Sequence, residues 1–82
     1  MDQLVAMRVF SRVAERGSFG KAADELELSR PAASAHAAAL EKHLGARLLN
    51  RTTRRVSLTA EGTEFLARTR RILEELRDAE ET

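Results

Sequence analysis

The 82-residue sequence contains no cysteine, tryptophan or tyrosine, and only one proline, four glycines and three phenylalanines. Without cysteine there is no disulfide, no thiolate metal site and no cysteine nucleophile. Nor does the chain carry a glycine-rich phosphate loop or a nucleophile with a base beside it, and it is short for a catalytic cleft, so an enzyme is the weakest reading. No apolar run approaches the ~20 residues of a membrane-spanning helix, and no basic-then-apolar leader opens the chain. The expectation is a cytoplasmic protein with no membrane partner. Aromatics are 4% of residues against 43% hydrophobic, which implies a core of Leu, Val and Ala. Acid is missing from one stretch. Between Gly45 and Thr59 the ionisable side chains are Arg47, Arg51, Arg54 and Arg55. The net charge of +1 conceals this, because Glu74, Glu75, Asp78, Glu80 and Glu81 outnumber Arg77 past Leu73. A basic patch beside an acidic end fits a polyanion footprint better than an evenly solvated surface.

What is present is one small domain's worth of helix signals. Asp2 caps a first helix that ends near Gly17, with Leu4, Met7, Phe10, Val13 and Ala14 on its buried face. Ser18 starts a second, reaching about Leu26, in which Phe19, Ala22, Ala23 and Leu26 share a face. Glu27 and Leu28 break it. Ser29 caps a third helix with Pro31 in its first turn, and Ala33, Ala37, Leu40 and Leu44 form the buried stripe. Helices joined by so short a turn must cross, and Ala22 and Ala23 leave room. This is a helix-turn-helix over about 18–44, whose second helix can enter a DNA major groove. On that helix, ~100° per residue puts Pro31, Ala35, Ala38 and Lys42 opposite the stripe, with Ser34 and Ala39 flanking and Arg30 and His36 nearer its edge.

Leu48, Leu49, Val56 and Leu58 mark two short extended segments, about 47–50 and 55–58, with Arg51-Thr52-Thr53-Arg54 at the tip. The tip lacks the Asn-Gly or Gly signal of a tight hairpin turn, and the preceding helix-turn-helix is what makes it a wing. Thr59 caps a last helix. There Phe65, Ile72 and Ala79, Leu66 and Leu73, and Thr69 and Leu76 recur seven apart. One stripe can pack on the domain; the other calls for a second copy.

In order and spacing these pieces resemble the N-terminal DNA-binding domain of the LysR-type transcriptional regulators. The matching residues are Phe10 and Val13, Gly17-Ser18-Phe19, Ala22-Ala23, Leu26, Leu28-Ser29, Pro31-Ala32, Ser34, Leu40-Glu41, Leu44-Gly45, Arg47-Leu48-Leu49, Arg51 to Arg55, Leu58-Thr59 and Gly62. The resemblance covers essentially the whole chain. It implies a mainly α fold: a winged helix-turn-helix over 1–58, with a small β-hairpin wing at 47–58, and a long linker helix over 59–82. It also implies a double-stranded DNA operator of dyad symmetry, a homodimer through the linker helix, a tetramer at full length, and a small-molecule effector sensed by a C-terminal domain. That domain is absent from these residues, which points to a piece of a longer protein. The chain departs from the family in having Arg30 where glutamine is frequent, Ala35 where a basic residue is, and Ala33 and Ala37 where larger aliphatics are. Alanine has no hydrogen-bonding group, so a base contact at position 35 reduces to a methyl against thymine.

The expected DNA-binding residues are Ser29, Arg30, Pro31, Ser34, Ala35 and His36 on the recognition helix and Arg51, Thr52, Thr53, Arg54 and Arg55 on the wing. Arg30 can fork onto guanine O6 and N7; Ser34 can donate to a base or phosphate; the wing arginines suit phosphates or a narrow minor groove. Phe65, Leu66, Thr69, Ile72, Leu73 and Leu76 are expected to dimerise. His36 and His43 stand seven apart, ~10 Å along a helix, too far to share an ion; no metal or cofactor is expected. The rival function is a winged helix used for protein assembly, against which the acid-free, arginine-rich wing argues.

Overall fold

The computed structural model describes residues 1–51 and 55–81. Thr52, Thr53 and Arg54, expected at the wing tip, and Thr82 lie outside the described residues. Four helices and a two-stranded sheet follow in the order α1 (Gln3–Arg16), α2 (Phe19–Glu25), α3 (Arg30–Leu44), β1 (Leu49–Asn50), β2 (Ser57–Leu58) and α4 (Ala60–Glu81).

Each helix begins where a short polar side chain takes an orphan amide. Asp2 accepts from the Val5 amide at 3.2 Å, Ser18 from Lys21 at 3.2 Å, Ser29 from Ala32 at 3.1 Å and Thr59 from Gly62 at 2.9 Å. Gly17 (φ 65°) and Gly45 (φ 68°) end α1 and α3 in the left-handed conformation that lets the chain turn away at once. The turn between α2 and α3 instead places Glu27 at φ 57°, a conformation that costs a non-glycine residue ~1 kcal/mol or more. It is held there by the Leu28 amide, which donates back to the Ala23 carbonyl at 2.9 Å.

Ala6, Met7, Val9, Phe10 and Val13 of α1, Phe19, Ala22 and Ala23 of α2, and Ala33, Ala37 and Leu40 of α3 form the core, with Leu48, Leu49 and Leu66. The alanines let three helix backbones approach closely; α1 carries the larger side chains that fill the centre. Phe10 meets Phe65 of α4 with ring centroids 5.7 Å apart, tilted by 50°. Two expected core residues lie outside. Leu4 is 41% and Leu44 38% exposed. Both keep the helical period, but Leu4 stands in the first turn of α1 and Leu44 in the last of α3.

The strands are antiparallel, pairing Leu49 with Leu58 and Asn50 with Ser57. They are shorter than expected because the backbone just before each is bonded elsewhere. The Leu48 amide donates to the Glu41 carboxylate at 2.8 Å, and the Arg47 carbonyl accepts the Thr59 hydroxyl at 2.6 Å. The Val56 amide reaches the Gly17 carbonyl at 3.1 Å. These bonds tie the hairpin to α3, α4 and the α1–α2 corner.

Against this assembly α4 packs through Gly62, Leu66 and Thr69. Gly62 sits so close to the Leu48 carbonyl oxygen that a Cβ there would stand 2.0 Å from it. Exposed ion pairs add little: Arg12 and Arg16 meet Glu25 of α2, and Arg70 of α4 meets Glu15 of α1 at 3.5 Å. No helix among the described residues is long and apolar enough to cross a membrane.

Candidate nucleic-acid interface

The inner face of α3 fixes its outer one. With Ala33, Ala37 and Leu40 buried, Arg30, Pro31, Ala35, Ala38 and Lys42 are exposed, while Ser34, His36 and Ala39 are half-buried. Arg30 is the first residue of the helix and is exposed. The Ser29 hydroxyl oxygen is engaged as the cap. Ala35 and Ala38 present methyl groups at the centre of the outer face.

One wing-base arginine lies beside that face. The Arg51 guanidinium donates from Nη1 to the Ser34 hydroxyl oxygen at 3.3 Å and from Nη2 to Glu41 Oε1 at 3.1 Å. Its central carbon stands 4.7 Å above the Phe19 ring, in cation–π range. The other Glu41 oxygen, Oε2, accepts from the amides of Leu48 and Leu49 at 2.8 and 3.2 Å. Arg51 thus joins α2, α3 and the hairpin, a different setting from the open phosphate contact its position in an arginine-rich segment implied. Arg55 is exposed and runs back against the α1–α2 corner, its Nε 3.9 Å from where a Gly17 Cβ would be. Thr52, Thr53 and Arg54, the remaining expected wing contacts, are outside the described residues.

Glu41 and Phe19 are the members of this cluster that the sequence reading did not assign to the site. Glu41 carried a signal: its helical neighbours at three and four residues either side are Ala37, Ala38, Leu44 and Gly45, so no base partners it locally.

The residues expected to dimerise divide into two sets. Leu66 (6% exposed) and Thr69 (0%) are consumed by packing against the domain, and Phe65 is half-buried on Phe10. A side chain already covered by its own domain cannot also cover a second copy, which removes Leu66 and Thr69 from that role in this conformation. Leu73 and Leu76 are half-buried, and Ile72 is 46% exposed. Leu73 also borders an open groove of about 800 Å³ between α1 and α4. Its charged rim includes Arg12, Glu15 and Arg70, already paired with one another. That arrangement offers no reactive constellation.

Residues 4–63 match the family described as bacterial regulatory helix-turn-helix protein, lysR family. An HTH-type transcriptional repressor of Pseudomonas aeruginosa is 45% identical over 82 residues, all of this chain and 26% of that protein. The HTH-type transcriptional regulator CrgA of Neisseria meningitidis is 47% identical over 74 residues, 90% of this chain and 25% of that protein. The chain therefore spans about a quarter of the length of these curated relatives. Among solved structures, the BenM DBD in its catB site 1 DNA complex superimposes with a TM-score of 0.90 at 37% identity, covering 93% of this chain and 84% of that one. Full-length CbnR complexed with its target DNA gives 0.89 at 38% identity, covering 95% of this chain and 27% of that one.

Proposed function

The chain belongs to the LysR family of bacterial regulatory helix-turn-helix proteins, and from that premise we propose that it is the sequence-specific, double-stranded-DNA-binding part of a transcriptional regulator. In this reading residues 1–58 form the DNA-binding domain and α4 links it to the rest of a longer protein and to a second copy. The outer face of α3 enters the major groove, and the wing lies on the adjacent backbone or minor groove. The observation that carries the reading is the bond between Arg51 and Ser34. It sets the base of an acid-free, arginine-rich wing alongside the exposed face of a helix whose tip is Arg30. The solved BenM and CbnR structures, both complexes with DNA, support the same role at 37% and 38% identity.

Two copies would read a dyad-symmetric operator, with the spacing of half-sites set by the dimer. Ile72, Leu73 and Leu76 are the apolar residues of α4 left for the partner. The outer face of α3 is short of donors and acceptors, because Ala35 and Ala38 supply only methyl groups. Each half-site should then contain one or two strongly specified positions, the strongest a guanine read by Arg30 through O6 and N7, worth ~1–3 kcal/mol of discrimination. Groove shape under the wing supplies the rest. Binding-site selection from a random duplex library, run on the parent and on Arg30→Ala, tests this. One base pair per half-site should lose its preference while non-specific binding persists. Identical motifs would remove Arg30 from base reading, and failure of the parent to select any duplex would overturn the function.

A further inference from the structure

We infer that Arg51 is a positioning residue rather than a DNA ligand: it holds the Ser34 hydroxyl of α3 as a donor aimed at a hydrogen-bond acceptor on the duplex. The inference rests on the proposed DNA-binding role.

The guanidinium is fixed on three sides. Phe19 of α2 lies beneath it at 4.7 Å, Glu41 of α3 accepts from Nη2 at 3.1 Å, and Ser34 accepts from Nη1 at 3.3 Å. Glu41 is itself immobilised, because its second oxygen takes the amides of Leu48 and Leu49 and its side chain is only 18% exposed. Moving Arg51 out to a phosphate would leave that carboxylate short of its cation, a cost that grows with the burial of the charge.

A guanidinium has donors and no acceptor, so the direction of its bond to Ser34 is settled by chemistry: the serine oxygen accepts. That uses one lone pair and directs the hydroxyl hydrogen elsewhere. A serine inside a helix commonly returns its hydrogen to the carbonyl four residues back. No such bond is made by Ser34, and among the described residues no other acceptor takes the hydrogen. Ser34 flanks the exposed face of Pro31, Ala35 and Ala38, so the hydrogen is available on the side where DNA would lie. A cationic donor on the oxygen also polarises the O–H and strengthens what it donates. The partner is then an acceptor: a phosphate oxygen, or a base-edge acceptor such as guanine N7 or O6, adenine N7 or thymine O4. The exocyclic amines of adenine and cytosine are donors and are excluded.

The test is a double-mutant cycle in the 82-residue chain, on the duplex that the parent selects best. Ser34→Ala should weaken binding about two- to tenfold, the range of one net hydrogen bond. Arg51→Lys keeps a cation beside Glu41 but lacks the fork that spans Glu41 and Ser34. It should weaken binding by a similar factor, and the double variant should lose no more than either single one. Multiplying losses, as expected if Arg51 touches DNA itself, overturn the inference while leaving the DNA-binding role intact; a parent that selects no duplex overturns both. A second measurement stands apart from the folding of any Arg51 variant. Single phosphates are replaced by methylphosphonate; base groups are removed one at a time, N7 with 7-deaza purines, guanine O6 with 2-aminopurine, thymine O4 with 5-methyl-2-pyrimidinone, and the adenine and cytosine amines with purine and 2-pyrimidinone; parent and Ser34→Ala are compared. The parent should be sensitive at one acceptor where Ser34→Ala is not: a methylphosphonate position identifies phosphate, loss of N7, O6 or O4 a base edge. Sensitivity lost only on removing an exocyclic amine, or lost nowhere, refutes the donor assignment.

Discussion

Replacing Gly62 with alanine sets two general rules against each other. Gly62 is the third residue of α4, and alanine in a helix is favoured over glycine by ~1 kcal/mol, so propensity alone predicts a more stable protein. Packing predicts the reverse. The new Cβ would lie 2.0 Å from the Leu48 carbonyl oxygen, 2.9 Å from its carbon and 3.1 Å from Leu58 Cδ2. The first contact is more than ~1 Å too short and meets backbone, which cannot swing aside as a side chain would. Leu48 is also pinned: its carbonyl accepts from the Thr59 amide at 3.0 Å and its amide donates to Glu41. Relief therefore requires α4 to retreat, lifting Leu66 and Thr69 from the core. Overpacking costs ~1–3 kcal/mol or more, and a broken Leu48–Thr59 bond ~1 kcal/mol. After the propensity gain the net is a loss of about 2 kcal/mol, from a total of roughly 4–12 kcal/mol for a domain this size. The melting temperature should fall by roughly 10 °C. Gly20→Ala is the matched control. In α2 its Cβ would meet only the Ser18 hydroxyl, at 3.7 Å, so the propensity gain of about 0.5–1 kcal/mol should be realised. Thermal and urea unfolding followed by circular dichroism read both. A Gly62→Ala protein as stable as the parent would refute the close approach of helix and hairpin.

Glu27→Gly relieves the left-handed residue in the turn before α3 and should stabilise by ~0.5–1 kcal/mol, seen as a higher urea midpoint; an unchanged midpoint would mean that the turn stores no strain. Thr69→Val removes a fully buried hydroxyl that has no hydrogen-bond partner among the described residues, and should raise stability by about 1 kcal/mol. A lowered melting temperature would reveal a partner for that oxygen. Ile72→Asp should convert a dimer to a monomer in sedimentation, and an unaltered dimer mass would place the contact elsewhere. Arg54→Ala should weaken binding to all duplexes and reduce the salt slope by roughly one, whereas a loss at one base position with an unchanged slope would rule out a phosphate contact.

The features legible in the sequence were those decided within a few residues. Asp2, Ser18, Ser29 and Thr59 announce helix starts because the acceptor and the orphan amide lie three residues apart. Gly17 announces a stop because only glycine turns left-handed without cost. The exposed face of α3 followed from its alanine stripe. Periodicity overreached at Leu4 and Leu44, at the ends of their helices, since a repeat carries no information about which of its turns are covered. Arg51 was the harder case. Counting charge placed it with Arg54 and Arg55, but its environment is made by Glu41, ten residues back, and Phe19, thirty-two back, a pairing that exists only once α2, α3 and the hairpin have met. The split of α4 into a face against the domain and a face left over was visible as two stripes. Which residues served which could be decided only by the position of Leu48 against Gly62.

That same crossing makes α4 a lever. From Thr69, the last residue of α4 buried against the domain, to Glu81 the free arm is ~18 Å long, so a tilt of about 5° displaces its far end by ~1.6 Å. A base-pair step along DNA is ~3.4 Å. In the proposed dimer two such arms set how far apart the α3 helices stand, and any angular error enters twice. The missing side chain at Gly62 thus acts as a bearing with little play: a local van der Waals distance becomes a tolerance, on the scale of one base pair, for the operator spacing that the two copies can span.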